Sequence, residues 1–332
     1  AGTLGAAVAT GLPGALRHGY GRPRDHVLGL TMVSGDGSIL RWGGQVVKNV
    51  AGFDVTRLCV GSWGTLGVVT SVSARLFPVP EVDRTLVFRA GQVEDLLPFA
   101  RAVAFSNLPL ATVELMDPLT WQAPGETWAD GAGTRKLVSS RRVGLVVRIL
   151  GNPDQVAGAE SRLRSMGPPQ GDLDVMEGEE GKAFHGDLNK WEVGAGLLVR
   201  LSLLPSRMQT LLEEAENLKT VVKESLSRRQ AGRDETARVM LAADVGAGVL
   251  RVAVRTRAGD AEAWTPWIPT LTELRARLEG DGGSMVLTQG PPAVMEEVGA
   301  WGRRGEGEET LMAGLKARFD PRGIMAPGRL GL

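Results

Sequence analysis

The chain has little of several things, and each shortage narrows what it can be. One cysteine, Cys59, stands among 332 residues. That excludes an internal disulfide and a cysteine-ligated iron–sulfur cluster, and fits a reducing compartment. Formal net charge is zero, from 38 basic and 38 acidic residues, so nothing supports nucleic-acid binding as the main activity. No apolar run reaches the roughly 18 residues that a membrane-spanning helix requires. The opening Ala1–Leu16 stretch is small and apolar, yet it has no basic leader, and its glycines recur as in a turn motif, so it is not read as a secretory signal. Neither G-x-G-x-x-G nor a P-loop spacing occurs, which removes a nicotinamide-binding Rossmann domain. Histidines number three: His18, His26 and His185.

What is present points to a globular protein. Hydrophobic residues make up 43% and charged residues 23%, and the length suits two domains. Residues 1–80 carry seven Arg/Lys against three Asp/Glu; this modest excess suits an anionic ligand, and a solvated face would have the same composition. Residues 1–80 are rich in glycine and read as short strands and tight loops. Val27–Val33 alternates, Ser34-Gly35-Asp36-Gly37 supplies a turn, Ile39–Trp42 returns, and Val68–Phe77 forms a third strand closed by Pro78 and Pro80.

Residues 81–310 alternate helical and extended signals. Helices are expected over Val93–Phe105, Pro153–Met166, Pro205–Lys223 and Trp267–Leu278. Strands are expected over Val143–Leu150, Ala195–Leu204, Val239–Ala243, Val249–Val254 and Ser284–Leu287. Thr120–Ser140 and Gly171–Gly181 read as loops, and Glu179–Trp191 as a polar helix. The fold class is therefore α+β, an antiparallel sheet with covering helices. Residues 311–332 give a last helix, Leu311–Phe319, and an extended tail. No internal repeat is found.

Two glycine motifs carry the functional signal. Gly2-Thr3-Leu4-Gly5-Ala6-Ala7-Val8-Ala9-Thr10-Gly11 is small and bare, so a ligand can approach its backbone. Gly61-Ser62-Trp63-Gly64-Thr65-Leu66-Gly67-Val68-Val69-Thr70 is a glycine loop feeding a strand. Taken singly, each reads first as a tight structural turn. Their order is more specific: the first motif, Tyr20-Gly21, Asp25-His26-Val27-Leu28-Gly29, then G-T-L-G-V-V-T. Between them stands Gly44-Gln45-Val46-Val47-Lys48-Asn49-Val50-Ala51-Gly52-Phe53-Asp54. The chain ends on Leu315-Lys316-Ala317-Arg318-Phe319-Asp320-Pro321-Arg322-Gly323-Ile324-Met325-Ala326-Pro327-Gly328-Arg329-Leu330.

This set resembles the PCMH-type FAD-binding proteins of the vanillyl-alcohol oxidase superfamily, and within them the E subunit of the bacterial three-subunit glycolate oxidase. The resemblance implies that residues 1–80 are the second lobe of the FAD-binding domain and 81–310 the cap, with 311–332 returning to the first. The family's first lobe, with its pyrophosphate loop, would lie upstream of Ala1; the chain opens inside a motif, so upstream sequence is expected. FAD would contact the backbone around Gly2, Thr3, Gly5, Thr10, Gly11 and Gly14 on the phosphate and ribityl side. The turn Gly64, Thr65, Leu66, Gly67, Val68 and Val69 would flank it, with Tyr20 and Gly21 in the same set. Phe53 would pack near the ring or in the core.

The resemblance also implies a catalytic flavoprotein subunit and an iron–sulfur subunit as partners, oxidation of a 2-hydroxy acid, and a cytoplasmic location peripheral to the inner membrane through those partners. Two departures stand out. Ala326 replaces the family's usual asparagine, and Trp63 stands where catalytic-subunit relatives carry glutamate. His185-Gly186-Asp187-Leu188-Asn189 is similar to part of a histidine cluster, but no second histidine lies near, and His185 is read as a solvated helix residue. His26 is read as structural, and Cys59 as buried and inert. A cofactor-free scaffold built on the same fold, and a stand-alone FAD-linked alcohol oxidase, remain open alternatives.

Overall fold

A computed structural model describes residues 2–44, 54–121, 142–227, 238–256 and 261–331. The chain divides into two compact units, Ala1–Val79 with Arg303–Leu332, and Pro80–Gly302. Most of the Gly44–Asp54 motif, including Phe53, lies outside the described residues, as does 122–140 of the expected Thr120–Ser140 loop.

The smaller unit is built on three antiparallel strands, β1 (Val27–Val33), β2 (Ile39–Gly43) and β3 (Val68–Ala74), in the order β2-β1-β3. The β1–β2 turn forms because the Asp36 carboxylate accepts from Ser34 Oγ at 2.6 Å and from the Ser38 N–H at 3.0 Å. Those bonds hold the Asp36 carboxyl down at about 2. Leu30, Met32, Cys59 and Leu66 make a small core, with Trp42 and Phe319 packed against it. Burial pushes the Cys59 thiol up to about 11.

The expectation of strands and loops alone for residues 1–80 is corrected here. Short helices occupy Leu4–Thr10, Arg17–Tyr20, Pro23–His26 and Val55–Cys59. Two of them are started by side chains that accept a backbone N–H, Thr3 for the first and Asp54 for the last, the usual way of satisfying an orphan donor. Glu306–Phe319 is the long helix of this unit.

The larger unit is one antiparallel sheet, eight-stranded among the described residues. Its strands are β4 (Val82–Ala90), β5 (Leu110–Met116), β6 (Val143–Gly151), β7 (Asp172–Glu177), β8 (Leu197–Ser202), β9 (Arg238–Asp244), β10 (Val249–Arg255) and β11 (Ser284–Gln289). Their order is β11-β8-β10-β9-β5-β6-β4-β7. Period-two alternation sends Leu86 and Phe88 of β4, Val147 and Ile149 of β6, and Leu250 and Val252 of β10 to one face. There they meet the helices Val93–Ala104, Pro153–Ser165, Met208–Ser227 and Ile268–Gly280 in the main core.

The opposite face is mixed. Val87, Met116, Val146, Met176 and Met240 pack with Phe184, Leu188 and Trp191. Beside them lie paired charges: Arg148 with Asp83 at 2.9 and 2.5 Å, Arg89 with Asp174 at 2.7 Å, and Arg251 with Glu114 at 2.6 Å. Gly171–Gly181, expected as a loop, is β7 followed by the start of a helix, Gly178–Leu188. Its polar residues misled because Asp174 is a half-buried partner of Arg89 and not a loop residue. Strands β4 and β5 had no clear signal, since β4 carries buried Asp83 and Arg89 and β5 is buried along its whole length.

His185 is also corrected. It is buried, not solvated, and its Nε2 lies 2.9 Å from Thr85 Oγ1. Burial first, and the Arg148 charge second, lower its pKa to about 3. The folded chain thus keeps His185 neutral where the unfolded chain, with a value near 6.5, takes a proton. This contribution is full above pH ~6.5 and is lost as pH falls toward about 3, at roughly 1.4 kcal/mol per pH unit. Urea unfolding at about pH 5 is expected to show about 2 kcal/mol less stability from this group than above pH ~6.5. His185→Gln is expected to flatten that slope; an unchanged slope would refute the assignment.

Candidate functional site

In the smaller unit the two glycine motifs lie side by side. Thr3 caps the helix Leu4–Thr10, its Oγ1 accepting from the Ala6 N–H at 3.1 Å. Gly11 closes it with φ +62°, a left-handed conformation that glycine adopts without a Cβ penalty. The second loop then bonds to that helix's C-terminal end: the Gly61 N–H donates to Val8 O at 3.1 Å and the Trp63 N–H to Ala9 O at 2.8 Å. A Cβ on Gly11 would stand 3.0 Å from Gly61 Cα and N, and one on Gly5 3.1 Å from Val69 O. Small residues are therefore what lets the two backbones meet.

The candidate residues divide by environment. Gly2, Thr3, Gly14 and Val68 are exposed, while Gly5, Thr10, Gly11, Gly64 and Val69 are half-buried. A Cβ on Gly2, Gly14 or Gly64 would meet nothing within 4 Å, so open space lies over the backbone there. Thr65, Leu66 and Gly67 face inward. Thr65 Oγ1 donates to Ser62 O at 2.7 Å, Leu66 joins the core, and a Cβ on Gly67 would overlap Val33 O. Tyr20 ends a short helix at Gly21 and sets its ring edge-on to Phe77, 5.0 Å between centroids. His26 packs on the same Phe77 ring at 5.5 Å.

The C-terminal segment fixes the second loop. Lys316 Nζ donates to Thr65 O at 2.9 Å, to Asp320 at 2.6 Å and to Met325 O at 2.5 Å. Asp320 in turn accepts from the Ile324 and Met325 N–H groups at 3.1 and 2.8 Å. Burial would raise the Asp320 carboxyl, but Lys316 and the two backbone donors outweigh it and hold it below the usual carboxylate range. Sequence reasoning quoted this segment as a motif without seeing the clamp. The legible signal was the Lys-x-x-x-Asp-Pro spacing, one helical turn between opposite charges. Trp63, Ala326 and Leu330 all have left-handed backbone, φ +54°, +43° and +60°, and the Arg329 guanidinium lies over the Trp63 ring at 5.7 Å.

Residues 79–330 match the family described as FAD linked oxidases, C-terminal domain. The chain belongs to this family. Among curated relatives, glycolate oxidase subunit GlcE of Escherichia coli (strain K12) is 49% identical over 84 residues, 25% of this chain and 24% of that protein. Glycolate oxidase subunit GlcD of Bacillus subtilis (strain 168) is 41% identical over 101 residues, 30% of this chain and 22% of that protein. Each alignment thus spans less than a quarter of the relative.

A solved alkyldihydroxyacetonephosphate synthase shares the fold, with a TM-score of 0.66 at 15% identity, covering 98% of this chain and 57% of that one. The α+β class and the superfamily resemblance drawn from the motifs agree with these matches. No helix among the described residues is long and apolar enough to cross a membrane.

The clamp leaves no room beside it. Gly35 donates its N–H to Phe319 O at 2.8 Å, and a Cβ on Gly35 would overlap Asp320. Gly35→Ala is expected to destabilise the chain by about 3 kcal/mol through overpacking, measured by urea unfolding. A loss near zero would show that the clamp tolerates displacement.

Proposed function

We propose that this chain is the FAD-binding subunit of a glycolate oxidase-like complex that oxidises a 2-hydroxy acid. The single observation that supports this reading is the backbone-to-backbone joining of the two glycine motifs beside open space at Gly2, Gly14 and Gly64. A flat, anionic cofactor needs such a bare surface with hydrogen-bonding backbone close to hand. The residues fit FAD on that test. When bound, FAD supplies the acceptor for the two electrons leaving the hydroxy acid.

The chain's own residues do the holding. Thr3, Gly5, Thr10 and Gly11 shape one wall, and Gly64, Val68 and Val69 the other. Thr65, Leu66 and Gly67 set the second wall's position from inside, and the Lys316 contact to Thr65 O keeps it there. His185 is occupied by Thr85 and held neutral by burial, so the proton of the substrate goes to a group on the catalytic flavoprotein partner. An iron–sulfur subunit would take the electrons onward. The relatives named glycolate oxidase subunits support this choice of partners and substrate class.

Trp63 and Ala326, the two departures from the family pattern, favour a second reading, a cofactor-free scaffold on the same fold. Flavin content of the full chain, purified with its partner subunits, separates the two. Flavin bound to this chain is expected, and Gly14→Leu is expected to weaken it by about tenfold or more by filling ligand space. Thermal stability should stay unchanged, since the added Cβ meets no neighbour. Equal flavin content in wild type and variant would remove the site from Gly14, and no flavin in either would establish the scaffold.

A further inference from the structure

The larger unit holds a groove that the flavin reading does not use. It runs between the helices Val93–Ala104 and Met208–Ser227, on the main-core side of the sheet. A cavity of about 240 Å³ is lined by Leu115, Val143, Leu212, Leu241 and Leu250, with Asp117 and Lys219 at its wall. A second cavity of about 400 Å³ adjoins it along Leu97, Pro98, Arg101 and Glu213. Val93, Glu94, Leu212 and Glu216 line both, so the two are neighbours along the same pair of helices.

The walls are apolar and the charge is one-sided. The two cavities are lined by four carboxylates, Glu94, Asp117, Glu213 and Glu216, against two cations, Arg101 and Lys219. Both cations are already engaged. Arg101 donates to the Pro205 and Ser206 carbonyls. Lys219 Nζ lies 2.9 Å from Asp117 Oδ2 and 2.7 Å from Glu216 Oε1. Burial would lower the Lys219 ammonium, but those carboxylates outweigh it and raise it above the ordinary lysine value.

Asp117 is buried and engaged, its Oδ1 accepting from Thr120 and its Oδ2 held by the Lys219 ammonium at 2.9 Å. Two features of Glu94 add acceptors without donors. Pro98 sits inside the helix Val93–Ala104 and has no N–H, which removes the helical bond that the Glu94 carbonyl would accept. The Glu94 carboxylate is exposed and has no partner among the described residues. An apolar cleft of this size with acceptors in excess at its mouth has the make-up of a small-molecule site.

We propose that this groove binds a small amphipathic amine, its apolar chain in the 240 Å³ cavity and its ammonium group between Glu94 and Glu216. The ammonium supplies the positive charge that the surrounding carboxylates lack, and the chain covers Leu212, Leu241 and Leu250. The proposal is independent of the flavin site, which lies in the other unit.

Three probes of equal length test it on the full chain by calorimetric titration: n-octylammonium, n-octanol and n-octanoate. One-to-one binding of octylammonium is expected, about tenfold tighter than octanoate and weakened by added salt. Leu212→Trp, which fills the groove, is expected to abolish it. Glu94→Gln, an exposed change that leaves the fold intact, is expected to weaken it about threefold, the size of one solvated charge. Octanol or octanoate binding as tightly as octylammonium would overturn the ammonium assignment. Unchanged affinity in folded Leu212→Trp, or in Glu94→Gln should the tryptophan variant not fold, would overturn the location.

Discussion

The smaller unit depends on one buried carboxylate. Asp320 sits at the end of the helix Glu306–Phe319 and gathers an ammonium and two backbone N–H groups. Through Lys316 it reaches Thr65, which lies 251 positions before that lysine. A buried charge without partners is expensive, so this one stays only where all its donors are in place. That requirement couples the turn after Phe319, the glycine loop and the β1–β2 turn into one assembly. Removing Asp320 or Lys316 leaves the other as an uncompensated charge.

In the larger unit a different constraint fixes the sheet. Its main-core face is largely apolar, while the other face carries Arg148 with Asp83, Arg89 with Asp174, and Arg251 with Glu114. The first two of these pairs tie neighbouring strands, β6 to β4 and β4 to β7. A slip of one residue in register would turn these charges into the hydrocarbon core. Trp191 extends the same pattern, with the Arg251 guanidinium 5.3 Å above its ring.

How much of this could be read beforehand depended on how plainly burial follows periodicity. Val27–Val33 and Val249–Arg255 were legible because each alternates or is continuously apolar between turn residues. The helix Met208–Ser227 was legible from Leu211, Leu212, Ala215 and Leu218, which recur at helical spacing and are buried. Strands β4 and β7 were not, because their charged residues are satisfied by partners distant in sequence, and no local pattern announces a partner. His185 failed for the same reason: its neighbours Glu179, Glu180 and Lys182 are polar, while its own contact, Thr85, is 100 residues away. At the candidate site the glycine motifs were visible, and the inward turn of Thr65 and Leu66 was not. Which residues of a glycine loop face the core is decided by what packs behind it, here Met32 and Lys316.

Cys59 has a practical consequence. It is the chain's one thiol, it is wholly enclosed in the core of the smaller unit, and its ionisation is suppressed. Alkylating reagents attack the thiolate and need access to sulfur. Labelling of the native protein therefore proceeds only through excursions that open the core around β1, and its rate is a stopwatch for those excursions. Because the larger unit contributes no thiol, the signal reports breathing of the glycine-motif unit alone.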